Sequence, residues 1–224
     1  MKITFLGTGA ADWNINEHKD IVGFRRNASA LVDGCLLIDP GPAVIDALTT
    51  FGIDPNGIKY VINTHRHSDH YSAQTLSNLP SATLYVIEDG ATEQIGKYKI
   101  TALKGNHSTV NKIQHYIISD GEKNIFYGLD GAWLLYDEVA AIKASGVDFA
   151  VFDCTVGNVL GDFRIFEHNN INMVLEMKST LAPYIGRFCI SHMARTLHAS
   201  HEELSEQMKK YGIEVAYDGL ETEI

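Results

Sequence analysis

The chain has 224 residues, 45% of them apolar and 21% charged, a globular rather than a disordered composition. Lys and Arg number 18 against 28 Asp and Glu, and the net charge of −10 argues against general nucleic-acid binding, which depends on neutralising phosphates with Lys and Arg. No apolar run approaches the roughly 18 residues of a membrane span, and the start of the chain turns to Gly7 too soon for a signal peptide, so a cytoplasmic protein with no membrane partner is expected.

No repeat or linker divides the chain, and 1–224 reads as a single domain. Residues 2–6 read as a strand and Gly7-Thr8-Gly9 as a turn. Strands at 29–32 and 36–39 form a hairpin around Asp33-Gly34, stopped by Asp39-Pro40-Gly41-Pro42. Val44, Leu48 and Phe51 give 43–51 helical spacing, ended by Gly52. A buried strand at 59–63 runs into Thr64-His65, and a helix starts near Ser72 and carries Leu76 and Leu79. Strands are predicted at 83–87, 98–103, 112–119 and 124–129, with Asp120-Gly121 turning between the last two. A helix at 135–144, a strand at 148–152, a helix at 170–181, a strand at 187–190, a helix at 201–211 and a strand at 214–217 follow. Such a mixture suits layered sheets with outer helices. Cys35, Cys154 and Cys189 lie far apart in apolar runs, with no CxxC pair, and read as buried thiols.

The chemistry concentrates in His65-Arg66-His67-Ser68-Asp69-His70, four potential ligands in six residues directly after an apolar strand. His65 and His67 point the same way while the backbone stays extended, and a curling loop turns Asp69 and His70 toward a second position. Neutral imidazoles with a carboxylate suit zinc, manganese or iron. His107, Asp130 and His192 each stand where a strand ends, and with the hexapeptide they complete two metal sites.

This set resembles the metallo-β-lactamase superfamily: its HxHxDH motif, a later His, an Asp after a strand and a late His. Asp39 matches that superfamily's early Asp, which supports the site from behind the ligands. The resemblance implies an α/β fold, the four-layer αββα sandwich. A closer resemblance, to the phosphodiesterases of the carbon–phosphorus lyase pathway (phosphoribosyl 1,2-cyclic phosphate hydrolases), rests on Leu6-Gly7-Thr8-Gly9, Arg25-Arg26-Asn27-Ala28-Ser29, Asn106-His107-Ser108, Phe152-Asp153-Cys154, Ser191-His192 and Ala216-Tyr217-Asp218-Gly219-Leu220. It implies two divalent ions, one on His65, His67 and His107, the other on Asp69, His70 and His192, with Asp130 bridging. His168 matches the extra histidine that this branch uses beside its substrate. The Cys-rich zinc insertion of the best-known members is replaced here by Ala10–Gly23 without cysteine, and the long arm of the tRNA 3′-processing enzymes is absent.

The implied activity is hydrolysis of small, cyclic phosphodiesters by metal-activated water. Asp69 would orient the attacking water, and His168 would protonate the leaving alkoxide or bind phosphate. Arg26, beside Arg25, and Ser108 are candidate substrate contacts. Asp153, Asp218 and His198 read as supports, while His18 and His115 read as structural or solvent-facing. Trp13 and Trp133 read as core or pocket-mouth residues. The competing readings are an RNA 3′-end nuclease of the RNase Z type, a lactone or thioester hydrolase, and a metal-binding protein without catalysis. A homodimer is expected only by resemblance.

Overall fold

The Asp33-Gly34 turn forms as expected, both residues taking left-handed backbone conformations (φ 47° and 70°) between β2 (Ser29–Val32) and β3 (Leu36–Ile38). This computed structural model describes residues 1–107 and 112–224, in two units: Met1–Val86 with Ala216–Ile224, and Ile87–Val215.

Besides that hairpin, the first unit contains β1 (Lys2–Gly7), α1 (Ile15–His18), α2 (Val44–Phe51), β4 (Tyr60–Ile62), α3 (Ala73–Ser77) and β5 (Thr83–Leu84). The second contains β6 (Thr92–Ile95), β7 (Tyr98–Lys104), β8 (Gln114–Ser119), β9 (Asn124–Gly128), α4 (Tyr136–Ser145), β10 (Val147–Asp153), α5 (Ile171–Leu181), β11 (Ile185–Ser191), α6 (His201–Lys209) and β12 (Ile213–Val215). The chain then returns to the first unit for β13 (Glu221–Glu223).

The first unit's sheet has the order β13-β1-β2-β3-β4-β5. Helix α2 lays Val44, Ala47 and Leu48 against Leu6, Leu31, Leu37 and Val61, and Gly52 (φ 67°) closes it by returning its N–H to the carbonyls of Leu48 and Thr49. The second unit's sheet runs β12-β11-β10-β9-β8-β7-β6. Its apolar core joins Phe126, Phe152, Phe188 and Ile190 of the sheet to Ile171, Val174 and Met177 of α5 and Leu204 and Met208 of α6.

Strand direction decides where polar side chains can gather. β3 and β4 are parallel, so Asp39 and the 65–70 segment leave one edge of the first sheet. In the second sheet β9, β10 and β11 are parallel, and β7 runs in the same sense because β8 is antiparallel to both β7 and β9. The C-terminal ends of β7, β9, β10 and β11 thus share one edge, followed by His107, Asp130 and His192, with Asp153 closing β10.

Several expectations shift. The strand predicted at 83–87 ends at Leu84, and the one predicted at 214–217 is Ile213–Val215. β6 and β13 escape the pattern because their exposed polar residues are organised by pairing with β7 and β1 rather than by a buried face. Cys154 and Cys189 are buried, but Cys35, in the hairpin turn, is half-buried. Among the described residues no helix is long and apolar enough to cross a membrane.

Candidate metal centre

In the first unit the site is built outward from Asp39, which is fully buried and takes a left-handed conformation (φ 60°) just past β3. Its carboxylate accepts from Thr64 N (2.7 Å), Thr64 Oγ1 (2.9 Å), Asn63 Nδ2 (2.9 Å) and His70 Nδ1 (2.8 Å). The Thr64 hydroxyl spends its proton there, so its oxygen accepts from His65 Nδ1 at 3.0 Å. His65 and His70 therefore carry their protons on Nδ1 and present Nε2 lone pairs. His65 Nε2 stands 2.9 Å from His67 Nδ1, and His70 Nε2 stands 3.3 Å from Asp69 Oδ2. Two ligand atoms at about 2.0–2.1 Å from a tetrahedral ion lie about 3.4 Å apart, and these pairs are close to that spacing.

The second unit uses the same device. Thr155 donates its hydroxyl proton to Asp153 Oδ1 or to the His192 carbonyl, each at 3.0 Å, so its oxygen accepts from His192 Nδ1 at 2.7 Å. His192 Nε2 then faces Asp130 Oδ1 at 2.7 Å. His107 donates from Nδ1 to the Glu167 carbonyl (3.0 Å) and places Nε2 3.7 Å from Asp130 Oδ2. The buried Asp130 carboxylate thus turns one oxygen to each imidazole lone pair, an arrangement of acceptors that a cation or a proton satisfies. Burial holds the His107 pKa below its ordinary value, which favours the neutral ring that a metal needs. His192 adopts φ 62°, a backbone conformation rare outside glycine and common at functional sites.

His168 belongs to this second cluster, where it, Asp130, Asp153 and His192 offer ligand atoms all within 4.8 Å of one another. Its Nδ1 lies 2.7 Å from Asp153 Oδ2, and its ring centre is 4.8 Å from that of His107 and 5.4 Å from that of His192. Burial disfavours the imidazolium, but the charge and hydrogen bond of Asp153 outweigh it and raise the His168 pKa. Burial likewise pushes Asp153 up, yet His168 and His192 hold it well below the usual carboxylate range.

The structure therefore gathers His65, His67, Asp69 and His70 in one unit and His107, Asp130, His168 and His192 in the other. It engages the remaining candidates elsewhere. Arg26 is buried, with its guanidinium on Asp46, Asp218 and Thr50 and stacked over Phe51. Arg25 binds Thr8 and the Ala216 carbonyl. Asp218 holds Thr8 and the Arg26 backbone, as a support should. His198 contacts the Thr155 carbonyl through Nε2. Ser108 lies outside the described residues. Trp13 is buried, whereas Trp133 is 46% exposed and its main-chain N–H donates to the side-chain oxygen of Asn169, the neighbour of His168. Thr64 and Thr155, which set two tautomers, were not anticipated. Their only signal is a hydroxyl residue placed next to, or just past, a strand-end Asp or His.

The description of the metallo-β-lactamase superfamily matches residues 22–138. No curated protein sequence matches the chain. The fold is similar to that of the metallo-β-lactamase fold protein YhfI from Bacillus subtilis (17% identity, TM-score 0.76, 99% of this chain and 98% of that one). It is also similar to Zn(2+)-bound PqqB from Methylobacterium extorquens (18%, 0.76, all of both chains) and to a diphosphatase of the PhnP family (18%, 0.72, 100% and 97%). These likenesses bear out the expected α/β class and fold.

Proposed function

Because the chain belongs to the metallo-β-lactamase superfamily, we propose that it is a hydrolase of small phosphodiesters, cyclic ones among them, working with two divalent metal ions. His65, His67 and His107 would hold one ion and Asp69, His70 and His192 the other, with Asp130 between them. The donor set fits: four histidines have Nδ1 fixed by an oxygen partner and Nε2 left as a lone pair, the arrangement that ligating imidazoles require. When bound, such ions lower the pKa of water and offset charge on a phosphate.

The protein's own groups would do the rest. Asp69 has a carboxylate oxygen with which to orient and deprotonate the attacking water. His168, its Nδ1 held by Asp153, would donate the Nε2 proton to the departing alkoxide. This dyad is the observation that carries the reading: a phosphodiester's alkoxide leaving group needs a proton at that moment, as a lactone's does, whereas a thioester's thiolate does not. The full-length likeness to a diphosphatase supports it.

The test is release of p-nitrophenol from bis(p-nitrophenyl) phosphate by metal-free protein and by protein reloaded with Zn²⁺ or Mn²⁺. Metal-dependent release is expected; with a cyclic alkyl phosphodiester, whose alkoxide needs the proton, His168→Ala should lower turnover by about 10²–10⁴-fold with metal content unchanged, and far less with the nitrophenyl ester, whose leaving group is stable without it. Loss of metal in that variant would make His168 a ligand. A two-metal protein that hydrolyses lactones or thioesters but no diester, from the model compound through a panel of cyclic phosphates, would overturn the reading.

A further inference from the structure

His115 and Glu138 stand behind the second cluster and take no direct part in the proposed chemistry. Both are buried, at 1% and 0% exposure. His115 Nδ1 contacts Glu138 Oε1, and its Nε2 lies 2.9 Å from the main-chain carbonyl of Asp130. The other Glu138 oxygen accepts from Leu135 N at 2.7 Å, fastening the pair to the first turn of α4. The ring occupies a slot between two glycines: a Cβ at Gly105 would come within 2.8 Å of it, and one at Gly131 within 2.7 Å. Gly105 is two residues before His107, and Gly131 directly follows Asp130. These two backbone segments are also joined by Ala132 N on the Asn106 carbonyl at 2.9 Å.

We propose that His115 and Glu138 are positioning residues that set the distance between the His107 and Asp130 segments and so hold the second unit's half of the metal centre in shape. The ring spaces the two glycines while its Nε2 pins the Asp130 peptide. Glu138 fixes the ring's rotation. Both ring nitrogens are occupied by oxygen atoms, so His115 is not itself a ligand. This role rests on the proposed centre, because it acts through His107 and Asp130.

The experiment compares wild type with His115→Leu, His115→Gln and Glu138→Leu. Zinc affinity is read by competition with a chromophoric chelator and, separately, the thermal midpoint of the metal-free protein. Supports of metal ligands typically matter by about 10–100-fold in affinity, and that loss is expected for His115→Leu and Glu138→Leu. His115→Gln keeps an N–H near the Nε2 position and should recover part of the loss, which a space-filling role would not predict. Lowered midpoints with unchanged zinc affinity in all variants would overturn the role and leave the centre standing. If His115→Leu does not fold, Glu138→Leu decides on the same readout. Wild-type protein that binds no zinc would overturn the centre and this role with it.

Discussion

Asp39→Asn tests how the first unit sets its tautomers. The substitution keeps the shape and replaces one acceptor oxygen by an NH₂ donor. At the Oδ1 position that donor would meet Thr64 N and Asn63 Nδ2, now at 2.7 and 2.9 Å, and lose both bonds. The amide therefore turns its nitrogen toward His70 Nδ1, where the carboxylate now accepts at 2.8 Å. His70 must then accept at Nδ1 and carry its proton on Nε2, which blocks the lone pair that faces Asp69. Exchanging charged hydrogen bonds for neutral ones costs about 1–2 kcal/mol, which for a chain of this length lowers the midpoint of the metal-free protein by roughly 2–8 °C. Disturbing a ligand's support should also weaken zinc binding by about 10–100-fold. Chelator competition and calorimetry read the two effects separately. Unchanged zinc affinity with a lowered midpoint would refute the tautomer argument.

Gly41→Ala should damage the same half-site sterically, because a Cβ there would overlap the Asp69 carbonyl oxygen. A stability loss of about 1–3 kcal/mol with weakened zinc binding is expected, and a neutral substitution would show that the 69–70 backbone moves freely. Arg26→Ala leaves Asp46 and Asp218 without their shared guanidinium and should cost about 3 kcal/mol in denaturant unfolding. A raised KM at unchanged stability would instead return Arg26 to substrate binding. In the metal-free protein burial disfavours charge on His115, but the charge and hydrogen bond of Glu138 outweigh it and raise the pKa. The stabilisation is therefore complete below about pH 6.5, the unfolded value, and is lost as pH rises through the folded value. Unfolding free energy should decline with pH above that point in wild type and decline less in Glu138→Gln. Equal slopes would contradict the charged pair.

The hexapeptide was legible because its four candidate ligands fall within six residues and the strand before it is plainly apolar. His107, Asp130 and His192 were legible as polar residues at strand ends. β6 and β13 were not, since Thr92-Glu93-Gln94-Ile95 and Glu221-Thr222-Glu223 form strands only through their partners. His115 looked unattached because its partners are a helix residue 23 positions on and a backbone carbonyl 15 positions on. The one trace was Glu138 four residues before the buried Ile142, a carboxylate on the apolar side of α4. Arg26 illustrates the opposite error. A guanidinium suits phosphate, but nothing in the sequence marked Asp46 and Asp218 as its nearer partners.

The lone pairs at His192 Nε2 and Asp130 Oδ1, 2.7 Å apart, bear on the protein's lifetime as well as its chemistry. Held close by Thr155, they are a pair of acceptors that a proton or a cation joins. In the proposed centre a cation would take that place in the native state and find no such site in the unfolded chain. Saturation at about 100 times the dissociation constant adds roughly 2.7 kcal/mol to the folding equilibrium. With such a centre, scarcity of the ion in a cell that degrades unfolded protein would thin out the polypeptide itself, and supply of the metal would govern how much of the protein survives.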